Sequence, residues 1–251
     1  MVIGMKKNVI LASSIAVLLV LAGIFLLQEE EDTLETISTV PLQEEGVTRI
    51  STEEVGTDRY VLEDEIIAMM GRECVQVVAG EDVTASGVIY ACDNDTMVIL
   101  TAGHVLEEAT EGTICLFDNT EIAFGQEEFE VLEALDVAVI YVENETNFQL
   151  GHSGAKAFMD FEAMIGERIW MLESSIYPVC DIVDGIVGAV DFYLSDYETE
   201  MLVVYAEGRL GISGSPIYDE EGFLLGIVSG MNESGDILSV VPIEAITNEL
   251  E

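Results

Sequence analysis

The pattern of hydrophobic and polar positions divides the chain into three parts. A nearly unbroken apolar run extends from about Val9 to Leu27, and an acidic, threonine-rich stretch follows it. From Cys74 onward, short apolar runs alternate with turns rich in glycine, asparagine and aspartate. Many short strands at roughly even spacing are typical of a barrel or sandwich. We therefore predict an all-β domain that ends in a helix over Pro242–Leu250, with the proline at its start.

The first apolar run is close to the length of about 20 residues that a helix needs to cross a membrane. Lys6 and Lys7 precede it and acidic residues follow it, a distribution that places the N-terminus in the cytoplasm and the rest outside the cell membrane. We predict a cytoplasmic tip and transmembrane signal anchor over 1–27, a flexible acidic stem over 28–65 and an extracellular domain over 66–251. A cleaved signal peptide is the alternative, although no small-x-small cleavage site closes the run.

Composition excludes several classes of function. The chain has 8 Lys and Arg against 49 Asp and Glu, a formal net charge of −41. Such a surface repels nucleic acid and anionic lipid head groups, so we expect no nucleic-acid partner. Hydrophobic residues make up 50% of the sequence, which excludes a disordered protein despite the charge.

The 4 cysteines form no C-x-x-C pair, so we expect no zinc cluster, no metal and no cofactor. In an extracytoplasmic domain they fit two disulfides. Folding the strands Cys74–Ala79 and Ala85–Ala91 about a turn at Gly80-Glu81-Asp82 is expected to bring Cys74 opposite Cys92. We therefore predict a Cys74–Cys92 bridge, which leaves Cys115–Cys180. Free buried thiols are the alternative.

The candidate chemistry lies in the segment Gly211-Ile212-Ser213-Gly214-Ser215-Pro216. Glycines let main-chain N–H groups approach a substrate carbonyl closely, and an activated serine needs such donors beside an exposed Oγ. The chain has only 2 histidines. His104 ends a buried strand, whereas His152 is interpreted as a surface loop residue. Asp136 begins another apolar strand, so a nucleophile, a base and a carboxylate to orient that base are all present.

Three segments resemble the motifs of the trypsin-like serine proteases. T-A-G-H at His104 corresponds to T-A-A-H, D-V-A-V at Asp136 to D-(I/L)-A-(V/L), and G-I-S-G-S-P at Ser213 to G-(D/N)-S-G-G-P. Within that group the chain is most similar to the bacterial HtrA/Deg type, because Ser86-Gly87-Val88-Ile89, Asp184-Gly185-Ile186-Val187-Gly188 and Leu224-Leu225-Gly226-Ile227-Val228-Ser229 also match. The resemblance covers about Cys74 to Ile246. It implies a chymotrypsin-like double β-barrel with the site in the cleft between the barrels.

By that resemblance Ser213 is the nucleophile, His104 the general base and Asp136 its orienting partner. The N–H groups of Gly211 and Ser213 are expected to form the oxyanion hole. Ile212 replaces an Asp or Asn, so activation by a freed N-terminus is not expected. Ser215 replaces a glycine of the local turn, and it is the alternative nucleophile. The PDZ domain of many HtrA proteins is not expected. Proteins of that type often form trimers, but the sequence does not predict an oligomeric state for this chain.

Trypsin-like chains carry the floor of the primary specificity pocket six residues before the serine, which is Glu207 here. An acidic floor favours a basic residue before the scissile bond, but a solvated Glu207 beside Arg209 is the alternative. Ser229, Gly230 and Met231 are expected to line the pocket and to pair with substrate as an added strand.

The resemblance implies a membrane-anchored serine endopeptidase that acts on polypeptides, in the quality control of envelope proteins. Its alternatives are a catalytically silent binding or sensor protein with the same fold and an acidic cation-binding surface protein.

Overall fold

The computed structural model describes residues 64–80, 83–150, 164–174, 180–193 and 199–250. Among these residues, the first half contains two α-helices and seven strands: α1 (Asp64–Glu73), β1 (Cys74–Ala79), β2 (Val83–Cys92), β3 (Thr96–Ala102), α2 (Gly103–Leu106), β4 (Glu111–Cys115), β5 (Glu121–Gly125), β6 (Phe129–Leu132) and β7 (Val137–Glu143). The second half contains β8 (Arg168–Glu173), β9 (Asp181–Tyr193), β10 (Glu200–Ala206), β11 (Pro216–Tyr218), β12 (Leu224–Met231), β13 (Ile237–Pro242) and α3 (Ile243–Leu250).

The first half is one antiparallel sheet with the strand order β5-β4-β1-β2-β3-β7-β6. We expected two closed barrels, but β5 and β6 remain outer strands among the described residues, so this half is a half-barrel. The outer strands are short, with β6 only 4 residues long. The inner face packs around buried apolar side chains that alternate along the strands, including Val75, Val77, Ile99, Phe124 and Ile140.

The second half of the described chain is a closed barrel with the order β10-β13-β12-β11-β8-β9. Its interior is filled by apolar side chains, among them Ile169, Val204, Leu225, Val228 and Val240. Closure leaves no edge strand, since every strand has a partner on both sides. The all-β prediction is therefore confirmed, and the two-barrel prediction holds for the second half alone.

A further apolar cluster joins the two sheets. It takes Val88, Leu100 and Val139 from the first sheet and Leu172 and Ile227 from the barrel, all at 2% exposure or less. Fully burying side chains of this kind contributes about 1.5–3 kcal/mol each. The sheets are therefore held in one arrangement, and side chains from both can build a single site.

Two helices close this shared cluster. Met70 of α1 and both Ile243 and Ile246 of α3 are buried in it. The spacing of the two isoleucines places them on one face of α3. The predicted C-terminal helix is confirmed, although it begins at Ile243, because Pro242 is the last residue of β13.

Two sequence predictions lie at the N-terminus. Residues 1–63, with the predicted signal anchor and most of the acidic stem, are outside the described residues. Of the helices that the structure does describe, none is long and apolar enough to span a membrane. The three-part division of the chain remains a prediction.

The predicted disulfides are wrong, since all four cysteines are free. The β1–β2 hairpin pairs Ala79 with Val83, so Cys74 lies opposite Val88. Cys92 lies further along β2, opposite Met97 of β3. The predicted turn at Gly80-Glu81-Asp82 does fall between the paired Ala79 and Val83, but a hairpin about that turn places Cys74 opposite Val88, four residues before Cys92, so the expected register was wrong. Cys115 and Cys180, assigned to each other by elimination, are free as well.

Candidate active site

Strand pairing brings His104 and Asp136 together. β3 and β7 pair antiparallel, and Ala102 lies opposite Val137 at one end of the pair. His104 follows β3 in the single turn of α2, and Asp136 immediately precedes β7. Asp136 adopts a left-handed backbone (φ 54°), which ends the 3-10 turn before it and starts the strand. Residues distant in sequence thus become neighbours because their strands share an end.

The Asp136 carboxylate is buried and accepts hydrogen bonds from three donors. The backbone N–H of His104 donates to Oδ1 at 2.7 Å, and the imidazole Nδ1 lies 2.9 Å from Oδ2. The Ser229 hydroxyl donates to Oδ2 at 2.5 Å. With only 7% of Asp136 exposed, these bonds fix the carboxylate and direct the Nδ1 proton of His104 toward it. The other imidazole nitrogen is then free to act as an acceptor.

Ser213 lies on the opposite side of the imidazole. Its Oγ is 2.9 Å from Nε2 of His104. The serine follows β10 on a loop attached to both sheets, because its carbonyl accepts from the Ser86 N–H at 3.0 Å and the Gly214 N–H donates to Val228 O at 2.7 Å. The structure therefore brings the three predicted residues into one hydrogen-bonded chain, Asp136–His104–Ser213.

The electrostatics of this chain favour a stronger base. The hydrogen bond to Asp136 raises the pKa of His104 above its ordinary value of 6.5, with the charges of Asp136 and Glu107 acting in the same direction. Partial burial of the imidazole opposes this rise but does not cancel it. Above its raised pKa, His104 is neutral and able to accept a proton from Ser213.

The backbone N–H groups of Gly211 and Ser213 are the candidates for an oxyanion hole. Gly211 has a φ of 98°, a backbone conformation that L side chains rarely adopt. Among the described residues, neither the Gly211 N–H nor the Ser213 N–H donates to a protein acceptor. Both predicted donors are thus available to a ligand beside the serine.

The two departures from the family motif have different structural settings. Ile212 is 3% exposed and packs in the barrel core with Ile217, Leu225 and Leu238. An apolar side chain therefore anchors this loop where relatives have Asp or Asn. Ser215 is fully buried, and its hydroxyl has no hydrogen-bond partner in the described part of the chain. Ser215 is therefore poorly placed to be the nucleophile.

The predicted pocket residues do not act as one group. Glu207 is exposed at the end of β10, so the acidic pocket floor is not supported. A Cβ built on the next residue, Gly208, meets Leu238 at 2.9 Å, Ile212 at 3.0 Å and Met231 at 3.2 Å, so the surroundings are apolar.

The remaining predicted residues fall into three places. Ser229 points to Asp136 rather than into a pocket. Gly230 and Met231 end β12, where Met231 is 38% exposed. His152 lies outside the described residues.

Sequence reasoning missed two serines. The sequence predicts Ser229 as a pocket residue, and Ser86 stands out there only as part of a matching motif. Both are buried in strands, at 3% and 0% exposure. A polar residue within an apolar strand was the available signal, because buried polar groups need partners. Both partners are site residues, Asp136 for Ser229 and Ser213 for Ser86.

Comparison with known families defines the class of this fold and site. The model of the trypsin-like peptidase domain matches residues 85–227, more than half of the chain. The chain therefore belongs to the trypsin-like peptidase family, as the sequence motifs indicated.

A sequence relative of the chain is of the HtrA type. The chain is 27% identical over 162 residues to the serine protease Do-like HtrA of Bacillus subtilis, an alignment that covers 62% of this chain and 35% of that protein. The chain thus matches about a third of that relative's length.

Two solved structures share the fold. The Rv3671c protease of M. tuberculosis in its inactive form has a TM-score of 0.59 at 16% identity, covering 77% of this chain and 94% of that one. The HtrA-type protease AlgW with a tripeptide has a TM-score of 0.60 at 16% identity, covering 74% and 61%.

Proposed function

We propose that this protein is a serine endopeptidase that hydrolyses peptide bonds through an acyl-enzyme. The observation that carries the proposal is the continuous hydrogen-bond chain from Asp136 through His104 to Ser213, with contacts of 2.9 Å on both sides of the imidazole. The free N–H groups of Gly211 and Ser213 beside this chain support the same reaction. Membership of the trypsin-like peptidase family makes polypeptides the expected substrates.

Acylation follows from the positions of these groups. Ser213 Oγ attacks the carbonyl carbon of the substrate while its proton passes to Nε2 of His104. The carbonyl electron pair moves onto oxygen, and the negative charge is stabilised by the N–H groups of Gly211 and Ser213. His104 then gives its proton to the amide nitrogen, the C–N bond breaks, and the new amine leaves. Asp136 holds the imidazole orientation and stabilises its charged form throughout.

Deacylation repeats the sequence with water. His104 takes a proton from a water molecule, whose oxygen attacks the ester carbonyl on Ser213. The same two N–H groups stabilise the second oxyanion. As it collapses, the ester C–O bond breaks, and His104 returns the proton to Ser213. The net reaction consumes one water and yields an acid and an amine.

The surroundings of the site suggest an apolar residue before the scissile bond. Ile212, Met231 and Leu238 converge near Gly208, and Glu207 is exposed. A guanidinium or ammonium group would lose water there without gaining a buried carboxylate. We therefore propose a preference for aliphatic over basic residues at this substrate position, with the substrate backbone pairing beside the end of β12.

We also propose that the enzyme is anchored in the cell membrane by residues 1–27 and acts outside the cytoplasm, in the quality control of envelope proteins. The apolar run after Lys6 and Lys7 and the acidic residues that follow it support this orientation. Protease accessibility on intact cells tests it. A C-terminal tag should be digested from outside, and a tag digested only after lysis would contradict it.

Turnover by the full chain in detergent tests the enzymatic proposal. Quenched peptides with an aliphatic or an arginine residue at the cleavage position should both report, with the aliphatic one cleaved faster. Ser213→Ala should abolish cleavage. Ser215→Ala is the matched control, because the Ser215 hydroxyl is buried without a described partner, and it should retain activity. Absence of turnover by the folded wild-type chain would instead favour a catalytically silent binding protein.

A further inference from the structure

The oxyanion loop, defined here as residues 207–214, presents the two N–H donors proposed above. Such donors contribute to catalysis only when they are held where charge develops on the substrate. The Ile212 side chain is buried in the barrel core, so it supplies no ionic anchor for the loop. Polar contacts from other residues therefore fix the loop backbone.

One such contact comes from Ser86 in the first sheet. The Ser86 hydroxyl donates to the Gly211 carbonyl at 3.3 Å, and its backbone N–H donates to the Ser213 carbonyl at 3.0 Å. Ser86 itself is fully buried and held in place, because its carbonyl accepts from Thr101 Oγ1 at 2.7 Å. A single residue of β2 thus holds both residues that carry the proposed oxyanion hole.

The second contact comes from Arg209 within the loop. Its guanidinium donates through Nε to the Glu173 carboxylate and through a terminal nitrogen to the Asp181 carboxylate. These carboxylates lie opposite each other in the β8–β9 pair. Glu173 is only 1% exposed, and a buried carboxylate needs a cation or hydrogen-bond donors. The Arg209 carbonyl also accepts from the Ile212 N–H at 3.3 Å, so Arg209 begins the tight turn that contains Gly211.

Both contacts end on consecutive residues at the end of β8. Glu173 binds Arg209, and the N–H of Ser174 donates to the Ser86 hydroxyl at 3.0 Å. The Ser174 hydroxyl in turn donates to the Val75 carbonyl of β1. The end of β8 therefore connects the oxyanion loop to the first sheet by two routes.

We propose that Ser86 and Arg209 are positioning residues that hold the oxyanion loop in its competent arrangement without a freed N-terminus. The proposal rests on the proposed peptidase function, in which Gly211 and Ser213 stabilise the oxyanion. Neither side chain touches the reacting atoms. Each acts by fixing the backbone that carries the two donors.

The expected kinetic effect is a loss of kcat with little change in KM, because the oxyanion forms only in the transition state. Loss of one oxyanion donor lowers kcat by about 10²–10³-fold, so loosening the loop should cost less, about 10-fold for Ser86→Ala or Arg209→Ala. The double variant should lose less than the product of the two, since both contacts act through the end of β8.

Steady-state kinetics of the full chain test this, together with inhibition by a peptide boronate that forms a tetrahedral adduct on the serine. The inhibition constant should rise in parallel with the loss of kcat. Arg209→Lys should recover part of the activity, because it keeps the charge but not the forked donors. Arg168→Ala is the matched control, since Arg168 lies on β8, the strand that carries Glu173. Its guanidinium carbon is 5.9 Å from the centroid of the Trp170 ring. It should keep wild-type kcat.

Hydrogen exchange of the 207–214 peptide gives a readout that does not depend on activity. Exchange should rise in Ser86→Ala and Arg209→Ala and stay unchanged in Arg168→Ala. If the wild-type chain is active, unchanged kcat and unchanged hydrogen exchange in both variants would overturn the inference. An inactive wild type would refute the proposed function instead, while faster exchange in the variants would still show that the two contacts hold the loop.

Discussion

Gly214 is the position where one added methyl group should be most damaging. A Cβ there would overlap the Ser86 carbonyl and the Thr101 hydroxyl and lie 3.0 Å from the Ala102 nitrogen. The residue also has a φ of 79°, which costs a side chain about 1–2 kcal/mol. Overpacking adds about 1–3 kcal/mol. We expect Gly214→Ala to lower the free energy of unfolding by about 2–5 kcal/mol.

The structure supplies a control that separates these two costs. Gly166 has a similar φ of 88°, but a Cβ there meets nothing within 4 Å. Gly166→Ala should therefore show the backbone cost alone, about 1–2 kcal/mol. Urea unfolding of the full chain, followed by the fluorescence of the single tryptophan, Trp170, measures both. Equal destabilisation by the two substitutions would refute the packing argument at Gly214.

Three further outcomes are expected. Because Asp136 raises the pKa of His104, kcat/KM should increase with pH along an acidic limb centred above 6.5, and a wild-type limb centred at or below 6.5 would contradict this. Asp136→Asn should lower the rate by about 10⁴-fold. Gly71→Ala in α1, where a Cβ meets no neighbour, should raise the unfolding free energy by about 0.5–1 kcal/mol in urea titrations; no gain would contradict the helix. An Ellman titration without reductant should count 4 thiols after denaturation. In the native chain Cys74 should react slowly, since its hydrogen bond to Cys180 and its burial raise its pKa; fewer thiols would indicate a disulfide.

The sequence was sufficient to locate the three residues of the hydrogen-bonded chain, Asp136, His104 and Ser213. His104 and Asp136 each adjoin a strongly apolar strand, and such strands are recognisable without a structure. That β3 and β7 pair side by side was not predicted, since apolar patterning specifies a strand but not its neighbour. The family resemblance supplied only the expectation that the site lies in a cleft between two barrels. The glycines around Ser213 likewise identified the loop before its partners were known.

The errors came from register and from side-chain direction. The expected Cys74–Cys92 pair was out of register with its own predicted turn, and the observed pairing of Cys74 with Val88 rules it out. Glu207 lies at the expected place in the chain, but sequence position does not reveal that its side chain is exposed. The contacts of Ser86 with the oxyanion loop join residues far apart in sequence, and no local pattern encodes such a pairing.

The central claim is that Ser213 is a nucleophile activated by His104, and covalent labelling tests it most directly. The full chain is treated with a fluorophosphonate, and the modified residue is mapped by peptide mass spectrometry. The account predicts one adduct, on Ser213, that is lost in Ser213→Ala, greatly slowed in His104→Ala and retained in Ser215→Ala. An unlabelled Ser213 in the folded wild-type chain, or an adduct that forms equally fast without His104, would contradict it.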